Sequence, residues 1–92
     1  MSNQKILIVG AGAAGRLLAE NFSPNLIIGF LDDYVVGDDI NILGTLEDVN
    51  KVVKENNITD IFFSIPSASS KVVRKFINSI EDQNVKISIL PR

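Results

Sequence analysis

Apolar residues fall into short continuous blocks, and amphipathic stretches separate them. Lys5–Val9, Leu26–Leu31, Ile40–Leu43 and Asp60–Ile65 read as strands. Their cores are apolar on both faces, the pattern of strands buried inside a parallel sheet. Val85–Leu90 reads as a fifth strand. Val85, Ile87 and Ile89 alternate there with Lys86, Ser88 and Leu90, which suits a sheet edge with one wetter face.

Between the blocks the period changes to that of a helix. Ala14, Leu17, Leu18 and Phe22 fall on one side of a helix expected over Ala13–Phe22. Ser23-Pro24-Asn25 ends it, because proline cannot continue a helix and pushes Ser23 to extended geometry. Thr45, with Asp48 three residues on, predicts a capped helix running to about Asn56. Leu46, Val49, Val52 and Val53 form its inner stripe, and Asn56-Asn57 suits a left-handed stop. Ser67 or Ser69 caps a third helix, expected through Gln83, with Val72, Val73, Phe76, Ile77 and Ile80 inward. Alternating strands and helices predict an α/β domain spanning residues 1–92. Right-handed crossovers favour a five-stranded parallel sheet in the order 3-2-1-4-5.

The first strand runs directly into Gly10, Gly12 and Gly15, a G-x-G-x-x-G opening a helix. Gly10 permits the tight turn, Gly12 admits a close-lying diphosphate, and Gly15 lets the helix approach the sheet. The main-chain amides of Gly10, Ala11, Gly12, Ala13, Ala14 and Gly15 then face an anion, with Arg16 beside them. Asp32 follows Gly12 by about the spacing at which a dinucleotide fold places its ribose-binding carboxylate, with Asp33 next to it. A carboxylate there accepts ribose hydroxyls and repels a 2′-phosphate, so a dinucleotide ligand would be NAD rather than NADP. The plainer alternative is a tight βα turn followed by an acidic loop. Tyr34 or Val35 is placed to flank a base, or is simply exposed. Asp32, Asp33, Asp38 and Asp39 do not have the spacing of a calcium loop.

The third helix carries its charges against its dipole. Lys71, Arg74 and Lys75 crowd its first half, while Glu81 and Asp82 lie near its end. Arg16 is unfavourably placed in the same sense. Such a basic rim suits an anion, or is a solvated face. In the expected strand order the glycine turn and the Ser64–Ser69 loop meet where the strand order reverses, so Ser67 and Ser69 would line the wall opposite the glycines.

Composition narrows the classes. The net charge of −2 and pI of about 4.9 argue against a nucleic-acid partner. With no cysteine and no histidine there is no disulfide, no thiolate or imidazole metal site and no Cys/His or Ser/His catalytic pair. No apolar run approaches a membrane span and no signal peptide is visible, so a cytoplasmic protein is expected. A chain this short that is 46% hydrophobic, with a mean hydropathy of +0.23, predicts apolar surface left for a partner. A homo-oligomer or an adjoining domain would cover it.

GAGAAGRLLAE, GFLDD at Gly29–Asp33, LGTLEDV at Leu43–Val49, IPSAS at Ile65–Ser69 and VKISILP at Val85–Pro91 occur in that order. Together they resemble the nucleotide-binding domain that precedes the catalytic domain in membrane-bound nucleotide-sugar dehydratases and epimerases of bacterial polysaccharide biosynthesis, the CapD-like group. GFLDD also resembles the N-terminal UDP-sugar-binding domain of sugar O-acyltransferases. Those usually carry a glycine-histidine pair where Ala13-Ala14 stands here. The resemblance implies a Rossmann-like three-layer domain holding NAD(H) or a UDP-sugar. It places the chemistry in a separate domain with a Tyr or Met three residues ahead of a catalytic Lys. The single tyrosine here, Tyr34, has Asp38 near the place of that lysine.

The expected function is therefore a nucleotide-binding module without chemistry of its own. A ligand-free structural or oligomerisation domain is the alternative. A small oxidoreductase would need a substrate pocket that this length scarcely allows.

Overall fold

In a computed structural model, residues 3–37 and 39–90 are described. Asp38 and Pro91, both named in the motifs above, lie outside them. Strands β1 (Ile6–Val9), β2 (Ile27–Leu31), β3 (Ile42–Gly44), β4 (Asp60–Phe63) and β5 (Lys86–Ile89) form one sheet. Every pairing is parallel, and the order is β3-β2-β1-β4-β5. This is the order that right-handed crossovers predict.

Strand β1 is central, and all of its side chains are fully buried. Its alternation divides the core. Leu7 and Val9 point to the face covered by α2 (Val49–Asn56) and α3 (Ser70–Ser79). Ile6 and Ile8 point to the face covered by α1 (Ala13–Ala19) and the turn after it. The result is a three-layer domain. Burying one such side chain contributes roughly 1.5–3 kcal/mol, so β1 is the stretch on which stability rests. A tilted ring pair fastens each face: Phe63 with Phe76 at 5.4 Å and Phe22 with Phe62 at 5.2 Å.

Several boundaries and faces differ from expectation. The first helix ends at Ala19, and the N–H groups of Glu20, Asn21 and Phe22 bond back three residues in a tightened turn. Pro24 does not merely stop a helix. It opens a 3₁₀ turn, Pro24–Leu26, at the position where its missing N–H costs nothing. Strand β2 therefore starts at Ile27. Strand β3 lies at Ile42–Gly44, shifted toward the glycine. Strand β4 stops at Phe63, and β5 at Ile89.

The third helix ends at Ser79, well short of Gln83. Asn50 on α2 explains the stop. Its Nδ2 donates to the Ser79 carbonyl at 2.8 Å and its Oδ1 accepts the Glu81 N–H at 2.9 Å. The side chain replaces the next helical turn. Leu17 and Val72, both expected inward, are 65% and 45% exposed. Each sits on the flank of its helix, where the apolar stripe is wider than the face that meets the sheet.

Local signals elsewhere agree with the sequence. The Thr45 N–H donates to Asp48 Oδ2 at 2.9 Å in a capping box, although the first turn, Leu46–Asp48, is 3₁₀. Asn57 ends α2 in the left-handed region, at φ 53°.

Candidate functional site

The glycine loop leaves the carboxyl end of β1 at the point where the chain's course across the sheet reverses. Gly10 has φ 114°, a backbone state that side chains resist, and its N–H donates to the Leu31 carbonyl at 2.8 Å. A Cβ on Gly10 would run into the Ser64 carbonyl oxygen, so the loop lies directly on the end of β4. A Cβ on Gly15 would fall on the Gly10 carbonyl, so α1 can seat against the loop only without one. Gly12 is different: nothing stands within 4 Å of its Cβ position. It is exposed and begins α1 as the N-cap residue.

The amides divide into two groups. Ala11 is buried, and its N–H donates to Asp32 Oδ2 at 2.8 Å. The Gly12 N–H has no partner among the described residues. Ala13 and Ala14 open the helix, where N–H groups lack intrahelical acceptors. So the loop is in part tied to the protein and in part turned outward.

Asp32 is the residue that ties it. Its Oδ1 accepts the N–H groups of Tyr34 at 2.8 Å and Val35 at 2.7 Å, while Oδ2 holds Ala11. Burial pushes the Asp32 carboxyl up, but the N–H groups of Ala11, Val35 and Tyr34 together outweigh it and hold it below the usual carboxylate range. A carboxylate has about four lone-pair sites, so these three bonds leave one on Oδ2. The sequence placed this acid at the loop but did not foresee that it would staple β2 to the glycine turn.

Arg16 also has an internal role. Its Nε donates to the Ala11 carbonyl at 3.0 Å and its Nη1 pairs with Asp39 at 2.6 Å. The hydrogen bond from Arg16, with its charge, holds the Asp39 carboxyl below its ordinary value. The cation that the sequence offered to an anion is thus already neutralised. A basic residue in a first helical turn needs such a partner, and the acidic loop is where a search would have found it.

The remaining acids are dispersed. Asp33 Oδ1 accepts the Leu46 N–H at 2.9 Å. Among the described residues no group of three or more acids is gathered as a cation site. Tyr34 is 90% exposed, whereas Val35 packs against the cluster of Ile6, Ile8, Ala11 and Phe30.

The two loops do converge, but not through the predicted serines. A cleft of about 230 Å³ opens between α1 and the end of β4, lined by Ala14, Leu17, Leu18, Ser64, Ile65 and Pro66 among others. Ser67 and Ser69 are exposed and do not line it. Ser69 instead caps α3, its Oγ accepting the Val72 N–H at 3.2 Å. The sequence places the Ser64–Ser69 loop at the glycine turn but gives Ser64 and Ile65 no role of their own, because nothing in their residue types marks them. They matter through their approach to Gly10.

A family model described as a CoA-binding domain matches residues 3–91. The chain belongs to the CoA-binding domain family. No curated protein matches this CoA-binding domain. Among solved structures it is similar to the crystal structure of RSP, a Rex-family repressor, with a TM-score of 0.66 at 16% identity. The match covers 96% of this chain and 53% of that one, so the domain spans about half the length of that structure. The shared feature is the fold. Glycine loop, sheet order and family together make this a Rossmann-like nucleotide-binding domain. No helix among its described residues is long and apolar enough to cross a membrane.

Proposed function

We propose that this CoA-binding domain holds a nucleotide by its diphosphate, on the Gly12, Ala13 and Ala14 amides. The observation that supports this is the empty space over Gly12. The two flanking glycines are required by the fold itself, since a Cβ on either meets backbone. Gly12 is not, and the room above it is what a diphosphate needs beside a helix start.

Asp32 narrows the ligand. Its spare Oδ2 position faces the loop through Ala11 and is suited to one ribose hydroxyl. A fixed negative charge there disfavours a phosphorylated ribose. NAD(H) and UDP-sugars carry free ribose hydroxyls, whereas CoA carries a 3′-phosphate and NADP a 2′-phosphate. NAD(H) or a UDP-sugar is therefore our reading, even within a family named for CoA. The resemblance of GFLDD and IPSAS to CapD-like proteins adds a context, a binding module for a nucleotide-sugar dehydratase or epimerase of bacterial polysaccharide biosynthesis. The chemistry would belong to an adjoining catalytic domain.

A second reading has its own support. Asp32 spends three of its four acceptor positions, and Arg16 its charge, within the chain, as they would in a domain that keeps the fold and has lost its ligand. Calorimetric titration with NADH, UDP-glucose, CoA and dephospho-CoA separates the two. We expect NADH or UDP-glucose to bind, dephospho-CoA to bind more tightly than CoA, and Gly12→Ala to weaken binding at least about tenfold by filling the diphosphate's space. Absence of binding by all four at millimolar concentration would leave the scaffold reading standing.

A further inference from the structure

Ser64 follows β4, and its N–H donates to the Val9 carbonyl at 2.8 Å, which carries the pairing with β1 one residue past the strand. Strand alternation sets its side chain on the α1 face, as it does that of Phe62. At 7% exposure it is the one buried polar residue among those described. Its hydroxyl has no hydrogen-bond partner among the described residues. A hydroxyl kept from water without a partner costs stability. Among the described residues no polar side-chain atom is both sealed off and unpaired. The Ser64 Oγ is therefore accessible, and the surface it reaches is the cleft of about 230 Å³ beside α1 that the residue lines.

The rest of that lining is of another kind. Leu17, Leu18, Ile65 and Pro66 make an apolar wall, the exposed Asn21 supplies the other polar side chain, and no charged residue takes part. The exposure of Leu17 belongs to this wall. The cleft is smaller than the roughly 300–1,000 Å³ that holds a whole drug-sized ligand, so it suits one group of a ligand anchored beside it. The anchor is at hand. Ala14, whose N–H is among those assigned to the diphosphate, also lines the cleft. Strand β1 lies between β2 and β4. A diphosphate at the end of β1 thus has Asp32, just past β2, on one side and the cleft, just past β4, on the other.

We propose that this cleft takes the dihydronicotinamide ring of NADH, with the Ser64 hydroxyl bonded to its carboxamide. The inference rests on the diphosphate reading above and narrows it. A flat, uncharged ring with one polar substituent matches an apolar slot with one buried hydroxyl. The hexose of a UDP-sugar does not, because its several hydroxyls would face Leu18 and Ile65 without partners.

Calorimetry on the 92-residue chain tests it with two pairs of ligands. ADP-ribose keeps the adenosine, the diphosphate and the second ribose of NADH but lacks the nicotinamide, and UDP lacks the hexose of UDP-glucose. NADH should bind about tenfold more tightly than ADP-ribose, and UDP-glucose no more tightly than UDP. NADH fluorescence should rise and move to shorter wavelength as the ring leaves water. Ser64→Ala should weaken NADH about fivefold, the scale of one buried hydrogen bond, and leave ADP-ribose within about twofold. The substitution removes only the hydroxyl, and far-UV circular dichroism checks that the fold persists. Equal affinity for NADH and ADP-ribose, unchanged NADH emission, a clear gain of UDP-glucose over UDP, or a Ser64→Ala loss shared by both adenine ligands would overturn the ring assignment while the diphosphate reading stands. Binding by none of the four would overturn both.

Discussion

Asp32 accepts the Ala11 N–H at 2.8 Å, and through it the end of β2 fixes the turn that follows β1. The same carboxylate turns the chain after β2 by holding Tyr34 and Val35. One side chain thus sets two loops at the carboxyl edge of the sheet, the edge where ligands bind in open α/β folds.

Asp32→Ala should destabilise the domain by about 1–3 kcal/mol, the cost of leaving hydrogen-bonding groups unmatched at a partly buried site. Urea unfolding measures it. The carboxyl's folded value lies below its unfolded one, so its contribution is present above the unfolded value, near pH 4, and fades as pH falls through the folded one. Wild type should therefore lose part of its stability below about pH 4, and the variant should show a shallower acid limb. Parallel acid limbs would remove this role for Asp32.

The glycines should respond in opposite ways to the same added methyl group. Gly15→Ala drives a Cβ into the Gly10 carbonyl, and moving α1 to relieve it should cost at least about 2–3 kcal/mol. Gly12→Ala meets open space in an extended conformation at φ −78°, so stability should change by less than about 0.5 kcal/mol. Thermal or urea unfolding of the two variants side by side checks the difference. Similar losses in both would mean that Gly12 serves the fold rather than a ligand.

Asn50→Ala removes the clamp on the end of α3. Two hydrogen bonds go, to the Ser79 carbonyl and from the Glu81 N–H, and about 1–2 kcal/mol should go with them. Because those groups can reach water, the loss should be local. Amide exchange should quicken at residues 79–82 more than at β1. A uniform increase across the domain would contradict the clamp.

The sequence alone determined the order of elements and the sheet. Buried parallel strands must be apolar on both faces, and Ile6–Val9 and Ile61–Phe63 are so marked that no tertiary context is needed to read them. The caps at Thr45, Ser69 and Asn57 were legible for a similar reason, since capping depends on residues a few positions apart. The three glycines located the loop. Only the tertiary structure decided what its neighbours do. Arg16 and Asp39 are 23 positions apart, Ala11 and Asp32 21, and Asn50 and Ser79 29. Their meetings depend on how far each helix runs and on which flank it sets against the sheet. The exposure of Leu17 and Val72 was hidden likewise, because an apolar stripe records which face of a helix is inward but not how wide a surface awaits it.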